Sequence, residues 1–252
     1  MSLHAPGRGL ALAEPSASGL ASPCEPDASV LSLPLTVRYM RGAKDAADVG
    51  SALPVSALRA MLERASEIWM AGAIRLVLTD VQDHSYSLRA WGYRDEHEQV
   101  PSPSSDLRLF RALNAAYGTP QLGGVDIFVF WKIEGDAGYG APDRADGPMP
   151  GRGAVWIDTD CLAIPDAEAT YARLVAHEIG HVLRLCHACA LASRPEAPCA
   201  DPACPNPLID DGRLAPCRRE CRRLMRADYA GTELLPWEIA RARASARGRL
   251  GH

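Results

Sequence analysis

Lysine is nearly missing from this sequence. Only Lys44 and Lys132 occur among 252 residues, so arginine carries almost all the basic charge. The arginines create no basic excess either, because the formal net charge is −4. With no positive surplus to neutralise phosphates, a general nucleic-acid binder is excluded. Long hydrophobic runs are missing too. No run reaches the roughly eighteen apolar residues a membrane-spanning helix needs, and no membrane partner is expected. The longest early apolar stretch, Leu10 to Ala13, is too short for a secretory signal, so none is readable. No internal repeat is visible. What is present is ordinary: 47% hydrophobic and 23% charged residues. That rules out bulk disorder and leaves enough chain for one domain of normal size, or one with two lobes.

Along the chain, residues 1–30 are rich in Ala, Ser, Pro and Gly and read as a flexible leader, a candidate pro-segment. Structure is expected from Leu31 to the end. Residues 33–40 alternate as a strand. Apolar residues at 55, 58, 61, 62, 65, 68 and 69 have helical spacing, closed by Gly72. Residues 74–81 read as a strand and 85–91 as a weaker one. Residues 105–117 read as a short helix ended by Gly118. Residues 125–131 are nearly apolar on both faces, which predicts a central strand. The glycine- and proline-rich stretch 135–153 reads as loop. A strand at 154–158, a long helix from 167 to about 185 and a last helix over 236–249 complete the order. The segment 188–223 carries little aliphatic material and needs covalent or metal staples.

The chemistry concentrates in His177-Glu-Ile-Gly-His181-Val-Leu-Arg-Leu-Cys-His187. On a helix, His177 and His181 lie one turn apart on one face, where two imidazoles can hold a tetrahedral Zn²⁺. Glu178 points slightly aside, within reach of a metal-bound water without ligating the metal. His187 is the candidate third ligand, leaving one position open. Were the helix to continue, His187 would sit roughly 120° around from His181 and miss the metal. The helix must therefore end between about 182 and 186 and the chain must turn. From the chain's own His and Glu frequencies, the three-histidine pattern arises by chance about 3 times in 10,000 such chains, so composition does not explain it.

This motif resembles the signature of the metzincin clan of zinc metallopeptidases, His-Glu-x-x-His-x-x-Gly-x-x-His followed by a Met-turn. A compact domain of this size looks most like the matrixin-like bacterial branch. The resemblance is carried by residues 124–245. It implies an α+β fold: a twisted, mostly parallel sheet with two helices in an upper lobe, here 31–187. A small irregular lower lobe, here 188–252, would hold the Met-turn and a C-terminal helix. It implies His177, His181 and His187 as zinc ligands, Glu178 as general base and Met225 as the Met-turn methionine. In some relatives a tyrosine two residues after that methionine approaches the metal; the position is Ala227 here, so no fifth ligand is assigned. The clan's glycine after the second histidine is Arg184. That glycine permits a left-handed backbone, so Arg184 implies either a strained residue, at about 1–2 kcal/mol, or a rebuilt turn.

Six cysteines, Cys186, Cys189, Cys199, Cys204, Cys217 and Cys221, surround the weakly hydrophobic insert. Disulfides are the first reading and a second, structural zinc held by four thiolates is the other. Pro23-Cys24-Glu-Pro-Asp27 faintly resembles the cysteine switch of matrixin propeptides, which would make Cys24 a zinc-blocking thiol. The alternatives are a disulfide to Cys161 or an inert thiol. The expectation is a zinc-dependent endopeptidase acting on peptide or protein substrates, monomeric, secreted or periplasmic, with one catalytic Zn²⁺. The alternatives are a zinc-binding pseudo-peptidase with little turnover, or a cysteine-rich recognition module. An extended substrate would pair with a sheet edge, at strand 154–158 or the loop before it.

Overall fold

The computed structural model describes residues 29–41, 53–91, 100–102, 106–119, 123–135, 138–141, 153–159, 166–185, 224–225 and 231–251. Strands β1 (Leu31–Arg41), β2 (Ile74–Ser85), β3 (Val125–Phe130), β4 (Gly138–Ala141) and β5 (Gly153–Asp158) form one sheet in the order β2-β1-β3-β5-β4. All neighbours are parallel except β4, which runs antiparallel to β5 and forms one edge, with β2 at the other. The helices are α1 (Val55–Met70), α2 (Leu107–Tyr117), α3 (Ala167–Val182) and α4 (Pro236–Leu250).

Strand alternation sorts the interior into two cores. Leu33, Leu35, Val37, Val125, Ile127 and Val155 face one side of the sheet. Against them pack α1 and α3, with Ala242 and Ala246 of α4 and with Met225. Met40, Phe128, Phe130 and Trp156 face the other side, where α2 covers them with Leu109, Phe110 and Leu113. Both faces being covered, β3 is buried at every residue, Asp126 included, as its nearly continuous apolar run predicts. In α1 the buried residues Leu58, Met61, Leu62, Ala65 and Trp69 follow the 3.6-residue period and face α3. Helix α2 starts where Asp106 accepts hydrogen bonds from the backbone N–H of Arg108 and Leu109, at 3.0 and 3.2 Å.

Three elements differ from the sequence reading. The weak strand at 85–91 is instead the end of β2 followed by a 3-10 turn at Leu88–Trp91. Strand β2 runs longer because β1 stays paired with it as far as Arg41 and Ser85. The stretch 135–153 is not all loop, since it contains β4. This also settles the edge: β5 is interior, and the segment before it supplies the edge strand. Helix α3 stops at Val182, short of 185. The C-terminal helix α4 shares the core of α1 and α3.

Candidate active site

Helix α3 carries the histidine pair. Its middle is buried nearly all round, because α1 lies on one side and β4 and β5 on others. His177 is fully buried and Glu178 is 2% exposed. The two imidazole rings stand edge to face with centroids 4.8 Å apart. Each ring is fixed from behind by a backbone carbonyl. His177 Nδ1 donates to the Leu224 carbonyl at 2.7 Å, and His181 Nδ1 donates to the Leu185 carbonyl at 3.0 Å. A carbonyl oxygen only accepts, so each Nδ1 carries a proton, and in a neutral ring Nε2 then presents its lone pair. The two Nε2 atoms face each other at 3.1 Å. Two opposed lone pairs at that separation repel unless a cation or a shared proton lies between them.

Zinc fits this arrangement. Tetrahedral bonds of 2.0–2.1 Å would hold two ligand nitrogens about 3.3 Å apart, close to what the pair already has. The carbonyl bonds behind the rings are the outer contacts that orient metal-binding histidines and fix their tautomer. Among the described residues no further His, Cys, Asp or Glu joins the pair in a metal-binding group. The expected third ligand His187, the cysteines Cys24, Cys161, Cys186, Cys189, Cys199, Cys204, Cys217 and Cys221, and Ala227 lie outside the described residues.

The end of α3 is built to turn the chain. The Leu185 N–H bonds to the Gly180 carbonyl and the Arg184 N–H to the His181 carbonyl, both at 2.9 Å. Arg184 has φ 66°, the left-handed backbone that such a helix stop demands at this position. The turn is therefore kept and the residue strained, at a cost of about 1–2 kcal/mol for a side chain where glycine would be free. The adjoining Leu185 is buried, which supplies the apolar contact that usually accompanies this stop. Arg249 of α4 donates to the Val182 carbonyl at 2.7 Å, placing a cation at the negative end of the helix dipole.

Met225 packs against the histidine-bearing helix. A Cβ built on Gly180, between the two histidines, would collide with Met225 Sδ. Leu224 and Met225 thus touch α3 twice, through the carbonyl on His177 and through the sulfur against Gly180. Glu178 is enclosed on another side by β4, where Gly138 leaves room for its arm. The structure brings together His177, Glu178, His181 and Met225, which the sequence reading had singled out; that reading did not include the carbonyls of Leu185 and Leu224 or the packing of Gly180. Backbone carbonyls leave no signature in side-chain identity. The glycine inside the motif was the one available signal, since glycine in mid-helix costs about 1 kcal/mol and so asks for a packing reason.

A second polar cluster lies on the far face of the sheet. Arg38 bonds Thr119 Oγ1 at 2.6 Å and pairs with Asp126 at 3.4 Å, and both charged residues are buried. Asp126 also accepts from the Thr119 N–H at 2.6 Å. His84 sits 3.3 Å from Arg38, and its burial, followed by that positive charge, holds its pKa below the usual value. Burial likewise pushes the Tyr39 hydroxyl up to about 12.

No family model and no curated protein matches this sequence. Solved structures do. Mature mirolysin of Tannerella forsythia, solved in complex with a cleaved peptide, superposes with a TM-score of 0.54. The two chains are 13% identical, and the match covers 85% of this chain and 91% of that one. Archaemetzincin of Methanopyrus kandleri matches at TM-score 0.48 and 12% identity, over 89% and 99% of the two chains. Metalloproteinase-II of Bacteroides fragilis matches at 0.44 and 13%, over 87% of this chain and 55% of the other, so this chain spans about half of it. This chain, with its five-stranded sheet, antiparallel edge strand and histidine-bearing helix, has a fold similar to that of mature mirolysin.

Proposed function

We propose that this protein is a zinc-dependent endopeptidase. The observation that carries the reading is the opposed pair of Nε2 lone pairs at 3.1 Å, each ring locked from behind by a carbonyl. Zn²⁺ held by His177 and His181, with His187 as third ligand, would supply a Lewis acid that acidifies water to about pKa 7 and polarises a peptide carbonyl. Glu178 follows His177 on the helix and serves as general base. Its carboxylate takes the proton of the attacking water on one Oε and delivers it to the nitrogen of the leaving amine. The turn at Arg184 ends the helix before His187, as third-ligand geometry requires.

The position of Met225 against Gly180 supports its assignment as the Met-turn methionine. The outer edge of β4 is a suitable partner for an extended peptide substrate. We assign the cysteines of residues 186–221 to disulfides, with a second thiolate-held zinc as the competing outcome, and Cys24 to a zinc-blocking role in a leader over 1–30. The protein then works as a secreted or periplasmic monomer, with lobes divided near residue 187.

The test is cleavage of an unstructured peptide mixture by the purified protein beside Glu178→Ala, with zinc counted in both. Cleavage lost in the variant while zinc stays bound is the expected result. Zinc bound without cleavage by either protein, with residues 1–30 removed as well, would overturn the peptidase reading in favour of a metal-binding protein with little turnover. One zinc per chain supports disulfides; two support the thiolate site.

A further inference from the structure

Strand β4 has only four residues, Gly138-Tyr-Gly140-Ala141, and its glycines sit two apart, on one face. That face meets α3. A Cβ at Gly140 would collide with the carbonyl of Glu178, and would lie 2.9 Å from its carbon and 3.1 Å from its Cα. These atoms are helix backbone and cannot swing aside. A Cβ at Gly138 would lie 3.1 Å from Glu178 Cγ, 3.3 Å from its Oε1 and 2.9 Å from Leu174 Cδ1. These are ends of movable side chains. The two glycines therefore differ in what they make possible. Gly140 lets helix and edge strand touch. Gly138 leaves the volume in which the carboxylate arm of Glu178 rests. Tyr139 between them points to the opposite face, edge-on to Phe110 at 5.3 Å, and anchors the strand against the second core.

We propose that Gly138 is a positioning residue for the proton-carrying carboxylate, and that Gly140 sets the helix-to-strand distance that makes this positioning possible. The inference rests on the peptidase reading for its catalytic consequence. Its physical content, contact between position 138 and the Glu178 arm, stands without it. An added methyl at 138 is accommodated by moving the arm, because the arm is softer than the strand or the helix. The fold then survives with a displaced carboxylate. A misplacement of about 1 Å in a reacting group costs up to about a hundredfold in rate.

The experiment uses full-length, zinc-loaded protein. Gly138→Ala is expected to keep its zinc, to melt within a few degrees of the parent, and to lose about tenfold to a hundredfold in kcat with KM little changed. Because the new methyl also meets Leu174, the same change is made in Leu174→Ala. There the melting temperature should recover while kcat stays low. A kcat that recovers with stability, or a kcat within twofold of the parent in Gly138→Ala, overturns the proposal. A double variant that no longer binds zinc also overturns it, since the conflict would then lie with the helix and not the arm. Should the parent cleave no peptide, the peptidase reading falls separately and the contact is read by melting. Gly138→Ala must then destabilise the parent more than it destabilises Glu178→Ala, and equal shifts overturn the proposal.

Discussion

The two faces of the sheet solve the problem of buried polar groups differently. On the α2 face, Arg38, Asp126, Thr119, Gln82 and His84 bond one another side chain to side chain, beside an aromatic core of Phe110, Phe128, Phe130 and Trp156. On the α3 face, the polar side chains are held by backbone: Leu224 and Leu185 carbonyls on the histidines, and glycines along Glu178 and Met225. A side-chain network of this kind contributes to the fold. Side chains pinned by carbonyls have their functional atoms, the Nε2 pair, still directed at one point. The first face should therefore break as stability alone, and the second as stability coupled to metal.

The largest effect should come from the α2 face. Asp126→Ala leaves a buried guanidinium without its carboxylate and should cost about 3–5 kcal/mol in denaturant unfolding. Zinc content of the fraction that remains folded should be unchanged; zinc lost in proportion to the residues changed would erase the distinction between faces. Next comes Gly180→Ala, which drives a methyl into Met225 Sδ. Overpacking of this kind costs about 1–3 kcal/mol. Unlike Asp126→Ala it should also weaken zinc retention against a chelator, because Leu224 holds His177 through the same pair of residues. Arg184→Gly should work the other way. It relieves the left-handed strain and raises stability by about 1 kcal/mol, with the turn and the His181 bond kept. A loss of stability would mean that the arginine side chain contributes more than its backbone costs.

The smallest effect concerns pH. His84 has its pKa lowered by burial and by Arg38, with Asp83 opposing. The unfolded chain then takes up this proton more readily than the folded one. Stability contributed by the neutral ring is present above about pH 6.5 and is lost as pH falls through the lower folded value. Thermal melts from about pH 7 to pH 5 should show the decline, and His84→Gln should flatten part of it.

Where the sequence spoke through periodicity or side-chain chemistry, it was legible. Residues 125–130 are apolar except for Asp126 and form the third of five strands. The requirement that the helix stop before His187 came from helical rotation alone, and α3 stops at Val182. The edge strand was illegible for a physical reason. Four residues with two glycines give no alternation to read, and those glycines are there because a helix presses on them. Strand β2 ran past its apolar stretch because pairing with β1 sustains it where hydrophobicity does not. The carbonyl contacts behind the histidines depend on which backbone segments meet in space, and residue identity does not encode that. Much of the cysteine-bearing segment, with His187, lies outside the described residues.

The bond from Arg249 to the Val182 carbonyl has a temporal side. Its two ends are 67 residues apart in the chain. During synthesis the histidine helix leaves the ribosome well before the residue that ties down its final turn. At about 5–20 residues per second that interval lasts several seconds. Throughout it, the turn leading toward His187 has no anchor from α4. Assembly of the histidine site is thereby deferred until α4 has been made.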